Sequence, residues 1–201
     1  MRLYSLLCLQ FLCLFSSEYK IDFKKAFETE LLTRSRISQI LTSYRINKRE
    51  LNEIRENINL LSVDNKPLFF EITSLVVLQR VIDLKELDIN LLDDLGQNFL
   101  HKLSINCDKK ACRLVKLILE KTNINFLHQD YEGFTPLMRL LSTNCDRAKL
   151  IMLLKKETSD QSTSAAYQRI RNNQGQTALD IAKNSGQEEF FYKCLDTACN
   201  N

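Results

Sequence analysis

Glycine and proline are scarce in this chain, with four and two among 201 residues. Hydrophobic residues make up 44% and charged residues 26%, so the composition is that of a folded protein rather than a disordered one. Neither glycine nor proline occurs between residues 1 and 66, so the helix breaks expected there are soft. Histidine is rarer still, with His101 and His128 alone. None of the seven cysteines (Cys8, Cys13, Cys107, Cys112, Cys145, Cys194 and Cys199) forms a C-x-x-C pair. A zinc site and a thioredoxin-like redox motif are therefore poorly supported. No phosphate loop, G-x-G-x-x-G, G-x-S-x-G or H-E-x-x-H motif is present. The chain is accordingly expected not to be an enzyme, and to use no cofactor, metal or small-molecule substrate. The 28 basic and 25 acidic residues are interspersed and leave a net charge of +3. That balance lacks the basic face expected of a nucleic-acid binder.

The first seventeen residues, MRLYSLLCLQFLCLFSS, begin with Arg2, continue apolar from Leu3 to Phe15 and leave through Ser16 and Ser17. That is the shape of a secretory signal peptide. It falls short of the roughly 17–25 apolar residues that a bilayer-spanning helix needs. The other reading is an apolar helix that packs on the domain or touches a membrane surface, which would confine membrane contact to residues 1–17. Removal of this segment would leave five cysteines, an odd number that argues against a disulfide scaffold.

Residues 18–57 read as two or three amphipathic helices. Phe23, Ala26, Phe27, Leu31 and Leu32 recur at helical spacing, as do Ile37, Ile40, Leu41 and Tyr44, and then Leu51, Ile54 and Ile58. Asn47 with Glu50 has the form of a capping box, which starts a helix near Lys48.

Residues 58–201 repeat themselves. INLL at Ile58–Leu61 returns at Ile89–Leu92 and as INFL at Ile124–Leu127. Turns rich in Asp, Asn and Gly follow at Asp64–Asn65, Asp93–Gly96, Asp130–Gly133 and Asn172–Gly175, each ahead of an expected apolar helix. A second echo pairs Leu103–Asp108 with Leu141–Asp146, about thirty-eight residues apart, each leading into a helix at Lys109–Glu120 or Arg147–Lys156. The unit is turn, helix, short loop, helix and extended return. Thr135 is a good N-cap and Pro136 suits the first helical position. The polar insertion Glu157–Ala166 reads as an exposed loop between units.

Asp130-x-x-Gly133-x-Thr135-Pro136-Leu137, the Leu100-His101 pair and Asn172–Ala182 carry a resemblance to ankyrin repeats. Four units are covered, the outer ones degenerate, from about Ile58 to Leu195. Asn98-Phe99 stands where that family has Thr-Pro, and Met138 replaces its His. The resemblance implies an all-α, helix-turn-helix solenoid with an N-terminal helical segment as one cap. It also implies that His101 bonds between adjacent turns rather than acting in catalysis. His128 reads as a solvated loop residue. Cys107 and Cys145 would sit at equivalent positions on helices about 8–10 Å apart, beyond the roughly 7 Å that a disulfide allows.

By the same resemblance the partner is another protein, contacted by the turn tips and the open side of the first helices. Those positions are Leu92, Asp94, Leu95, Gln97 and Lys102, then Gln129, Tyr131, Glu132, Phe134 and Arg139. Tyr131, Phe134 and Arg139 stand out because tyrosine and arginine are enriched in binding hot spots and an exposed aromatic calls for a reason. Phe134 either faces that partner or tucks under the neighbouring turn. An ankyrin array behind a signal-like segment resembles the effectors that intracellular bacteria deliver into host cells, which implies a secreted or exported protein. The alternative is a cytoplasmic scaffold or inhibitor.

Overall fold

Side-chain caps start half of the helices. The computed structural model describes residues 20–43, 45–60, 66–106, 108–143, 147–159 and 166–199. Among these residues there are ten α-helices, one 3-10 turn and no strand, so the fold is all-α. Helices α1 (Lys20–Thr42) and α2 (Lys48–Asn57) form the N-terminal part. The Asn47–Glu50 capping box is present: the Glu50 amide donates to Asn47 Oδ1 at 3.0 Å and the Asn47 amide to Glu50 Oε2 at 2.8 Å.

Next come the 3-10 turn Leu68–Glu71 and helix α3 (Leu75–Val81). An apolar helix was expected after the Asp64–Asn65 turn, and a single 3-10 turn stands there instead. Pro67, at φ −55°, brings no amide to a helix, while Leu68, Phe69 and Phe70 are all buried. Phe69 and Phe70 pack edge-on at 5.0 Å, and Phe99 lies 5.5 and 5.4 Å from the two rings. Three consecutive buried side chains do not suit the one-sided stripe of an α-helix.

The rest is α4 (Phe99–Ile105), α5 (Lys109–Lys121), α6 (Pro136–Ser142), α7 (Arg147–Ser159), α8 (Ala166–Arg169), α9 (Ala178–Asn184) and α10 (Glu188–Cys199). The polar insertion is not loop throughout: Glu157–Ser159 prolong α7, and Ala166 opens α8. Helix α5 buries Ala111, Leu114, Val115, Ile118 and Leu119, one face at three- and four-residue spacing. Packing follows chain order in two rows. Helix α4 lies on α6, and α6 on α9; α3 lies on α5, α5 on α7, and α7 on α10. Helix α1 covers the 3-10 turn and α2.

Two side-chain devices repeat between neighbours. The Asn of the first two INLL copies bridges adjacent return loops: the Asp88 amide donates to Asn59 Oδ1 at 2.9 Å and the Asn125 amide to Asn90 Oδ1 at 2.8 Å. The preceding Ile58, Ile89 and Ile124 are buried, so both halves of the echo have a mechanical reason. At the other end of the first helices, Lys149 Nζ donates to the Leu103 carbonyl at 2.9 Å and also to that of Asn106. In the same register, Gln187 Nε2 donates to the Leu141 carbonyl at 3.0 Å. Lys149 is fully buried, a cation against the carbonyl end of α4, where the helix dipole favours it.

Candidate protein-binding face

Three turns are built alike. In the first, the Leu95 and Gln97 amides donate to Asp93 Oδ1 at 2.9 and 2.8 Å. In the second, the Glu132 and Phe134 amides donate to Asp130 Oδ1 at 3.0 and 2.9 Å. In the third, Asn172 Oδ1 takes the carboxylate's place and receives the Gln174 and Gln176 amides at 3.0 and 2.9 Å. A carboxylate or amide oxygen serves equally, since each turn asks only for an acceptor. Two residues beyond every turn a polar side chain caps the next helix: Asn98, Thr135 and Thr177 receive the amides of His101, Met138 and Asp180 at 3.2, 3.3 and 3.2 Å.

The turns are joined in one direction. The Tyr131 amide donates to the Leu95 carbonyl at 3.1 Å, and the Asn173 amide to the Glu132 carbonyl at 3.0 Å. His101, fully buried, lies with Nε2 2.9 Å from the Phe134 carbonyl. Its Nδ1 is 3.3 Å from the Asn98 amide and 2.8 Å from Asn98 Oδ1. Burial pushes this imidazole down to about 4, outweighing the Phe134 carbonyl and the Asp130 charge that favour the proton. The neutral ring thus donates from Nε2 and accepts at Nδ1. His128, expected in solvent, is half-buried: its Nε2 lies 3.0 Å from the Gly96 carbonyl and its ring meets His101 edge-on at 5.9 Å. One histidine reaches forward to the next turn and the other reaches back.

Of the residues expected to meet a partner, Tyr131 is 71% and Leu95 56% exposed. They are neighbours, because the Tyr131 ring lies over Gly96, where an added Cβ would come within 2.5 Å of its Cδ1. Asp94, Glu132 and Gln129 are exposed beside them, and Leu92 is half-buried. Gln129 also ties two turns, donating to the Gly133 and Arg171 carbonyls at 2.6 and 2.8 Å.

Three positions depart from the surface role. Gln97 is only 8% exposed, with Nε2 3.5 Å from Asp130 Oδ2, so it belongs to the turn interior. Lys102 is half-buried and donates to the Phe70 carbonyl, and burial lowers its pKa. Arg139 Nη2 sits 2.6 Å from Asp130 Oδ2 and 2.7 Å from Glu132 Oε2, its guanidinium 4.2 Å over the Phe134 ring. The Asp130 side chain has no exposed surface, so Arg139 neutralises a buried charge. Burial alone would lower the Arg139 pKa; the two carboxylates win and raise it. Phe134 lies half-buried beneath that guanidinium and against the core. Arg139 is thereby a clamp of its own turn rather than a free contact.

Asn173 was not among the expected positions, yet its amide and its Nδ2, 2.9 Å from the Tyr131 carbonyl, hold the second turn to the third. Its register against Tyr131 was the available signal. Cys107 and Cys145 lie outside the described residues, as does the segment 1–17; the side chain of Cys199 is likewise outside them. Among the described residues no group of three or more His, Cys, Asp or Glu is placed to hold a metal ion. No described helix is long and apolar enough to cross a membrane. No family model matches the chain, and no curated protein sequence matches it.

Proposed function

We propose that this chain is a short ankyrin-like stack that binds another protein through its turn tips, and that it is a binding module rather than an enzyme. The observation that carries the reading is the threefold recurrence of one turn, with an Asp or Asn Oδ1 acceptor and a polar cap each time and a one-way amide link at both joints. Such turns set a rigid row of loop tips, and solenoid arrays present extended surfaces of that kind to partners. Leu95 and Tyr131 are the large side chains that this row holds out to solvent.

Leu95→Ser with Tyr131→Ser is the informative variant, since neither side chain is buried and Arg139 keeps its clamp. Quantitative comparison of proteins captured from extracts of the native cell should show at least one specific partner falling about tenfold, roughly 1.4 kcal/mol, with thermal unfolding unchanged. Equal capture by both proteins would end the reading. Export belongs to the same proposal and rests on the signal-like residues 1–17. A mature protein recovered from the native cell that still begins at Met1 would remove it.

A further inference from the structure

The tips differ in charge along the row. Asp83–Leu95, which leads into the first turn, holds five acidic residues (Asp83, Glu86, Asp88, Asp93 and Asp94) against one cation, Lys85. Among the described residues Asp93 and Asp94 make no ion pair within 4 Å; Glu86 meets Arg55 at 3.8 Å. At the second turn the single Arg139 is shared by Asp130 and Glu132, which leaves that trio one negative charge. The third is basic: Ala166–Gln176 contains Arg169 and Arg171 and no acid. Arg171 is exposed, donating to the Gly175 carbonyl at 2.6 Å and lying 3.9 Å from Asp180 Oδ2. The exposed apolar pair Leu95 and Tyr131 lies between the acidic first tip and the partly compensated second one, joined by the Tyr131 amide and the ring over Gly96.

We infer that this face takes a basic segment of a partner protein, whose one large apolar side chain lands on Leu95 and Tyr131 while its Lys or Arg residues face Asp94. The inference rests on the binding reading above and adds the partner's chemistry and direction. Charge complementarity selects the occupant. An acidic peptide or an anionic lipid surface would meet the exposed Asp94 carboxylate beside Asp93, whose Oδ1 the Leu95 and Gln97 amides occupy, and like-charge juxtaposition opposes binding. An apolar segment without cations would leave those carboxylates facing its uncharged flanks, with no cation to answer them. Burying an aromatic anchor beside rim charges is the usual division of labour in such interfaces: the anchor sets affinity and the rim sets partner choice and encounter rate.

The test uses the full chain and two immobilised pools of dodecapeptides with a fixed central Leu, one flanked by Lys and Arg, the other by Asp and Glu. The basic pool should be retained about tenfold better, and its advantage should shrink as salt shortens the screening length from about 10 Å toward 3 Å. Asp94→Lys should invert the preference, and Leu95→Ser with Tyr131→Ser should abolish retention of both pools while unfolding stays the same. Equal or better retention of the acidic pool, no retention of either pool, or an Asp94→Lys protein with unchanged preference would each overturn the inference. So would sedimentation of the chain alone as a dimer that Leu95→Ser dissolves, because a second copy would then own the patch. Selection of acidic peptides through Leu95 and Tyr131 would overturn the charge argument and leave the binding reading standing. That reading is judged by capture from native extract.

Discussion

Gly133 and Gly175 occupy the same place in successive turns, at φ +80° and +74°, yet their surroundings differ. A Cβ on Gly133 would stand 2.7 Å from the Asn173 amide nitrogen and 2.9 Å from Asn172 Cα, whereas a Cβ on Gly175 meets nothing within 4 Å. Gly175→Ala should therefore cost only the left-handed backbone penalty, about 1–2 kcal/mol. Gly133→Ala must in addition push away the neighbouring backbone and stretch the Asn173–Glu132 link, for a loss of roughly 3 kcal/mol or more. Denaturant unfolding of the two variants measures the gap, and equal losses would mean that the turns are not in contact as described. At this scale the sequence was most readable where chemistry is local: Asp130, Gly133 and Thr135 act within a few residues of themselves. Arg139 was not readable in the same way. Its helical position is open to solvent, and only the folded turn brings Asp130 and Glu132 under its guanidinium.

Helix starts were legible for the same local reason. Asn47 with Glu50 forms the capping box that its spacing announces, and Thr135 caps α6 as its place before Pro136 implies. The first unit was not, since the reduction of its leading helix to a 3-10 turn depends on Phe99, about thirty residues further on. Between elements, the joint that His101 makes with the Phe134 carbonyl carries a pH dependence whose sign is fixed. Its folded value of about 4 lies below the ordinary 6.5, so between these values the unfolded chain binds a proton that the folded chain refuses. The contribution is complete above pH 6.5 and is lost as pH falls toward 4, by at most roughly 3 kcal/mol at 1.36 kcal/mol per unit. Met138 fills the equivalent place in the next unit, which makes His101→Met a natural control. Unfolding free energies of wild type and His101→Met should diverge across that interval, with the variant flatter; parallel curves would show that the ring is not neutral in the fold.

The molecule as a whole is ordered by which helices are covered. Helix α6 is packed by α4, α7 and α9, while α1 touches the 3-10 turn and α2 at one end. Hydrogen exchange should therefore be slowest in α4 and α6 and fastest in α1, because local opening is least costly where few neighbours are lost. Exchange in α1 as slow as in α6 would contradict that order. The repeat period and the all-α class were open in the sequence because the INLL echo marks a buried Ile in three successive units and a bridging Asn in the first two. The links that run against chain distance, such as Lys149 to Leu103, were closed to it because a lysine ordinarily seeks water. The amide link between turns has a direction, in which the later turn always supplies the donor. Each turn is thus two-sided, with an acceptor toward its successor and a donor toward its predecessor. The Gln174 carbonyl stands in the place that Leu95 and Glu132 fill for their successors, and the Asp94 amide in the place from which Tyr131 and Asn173 donate, so a unit built on this turn is complementary to a copy of itself at either end.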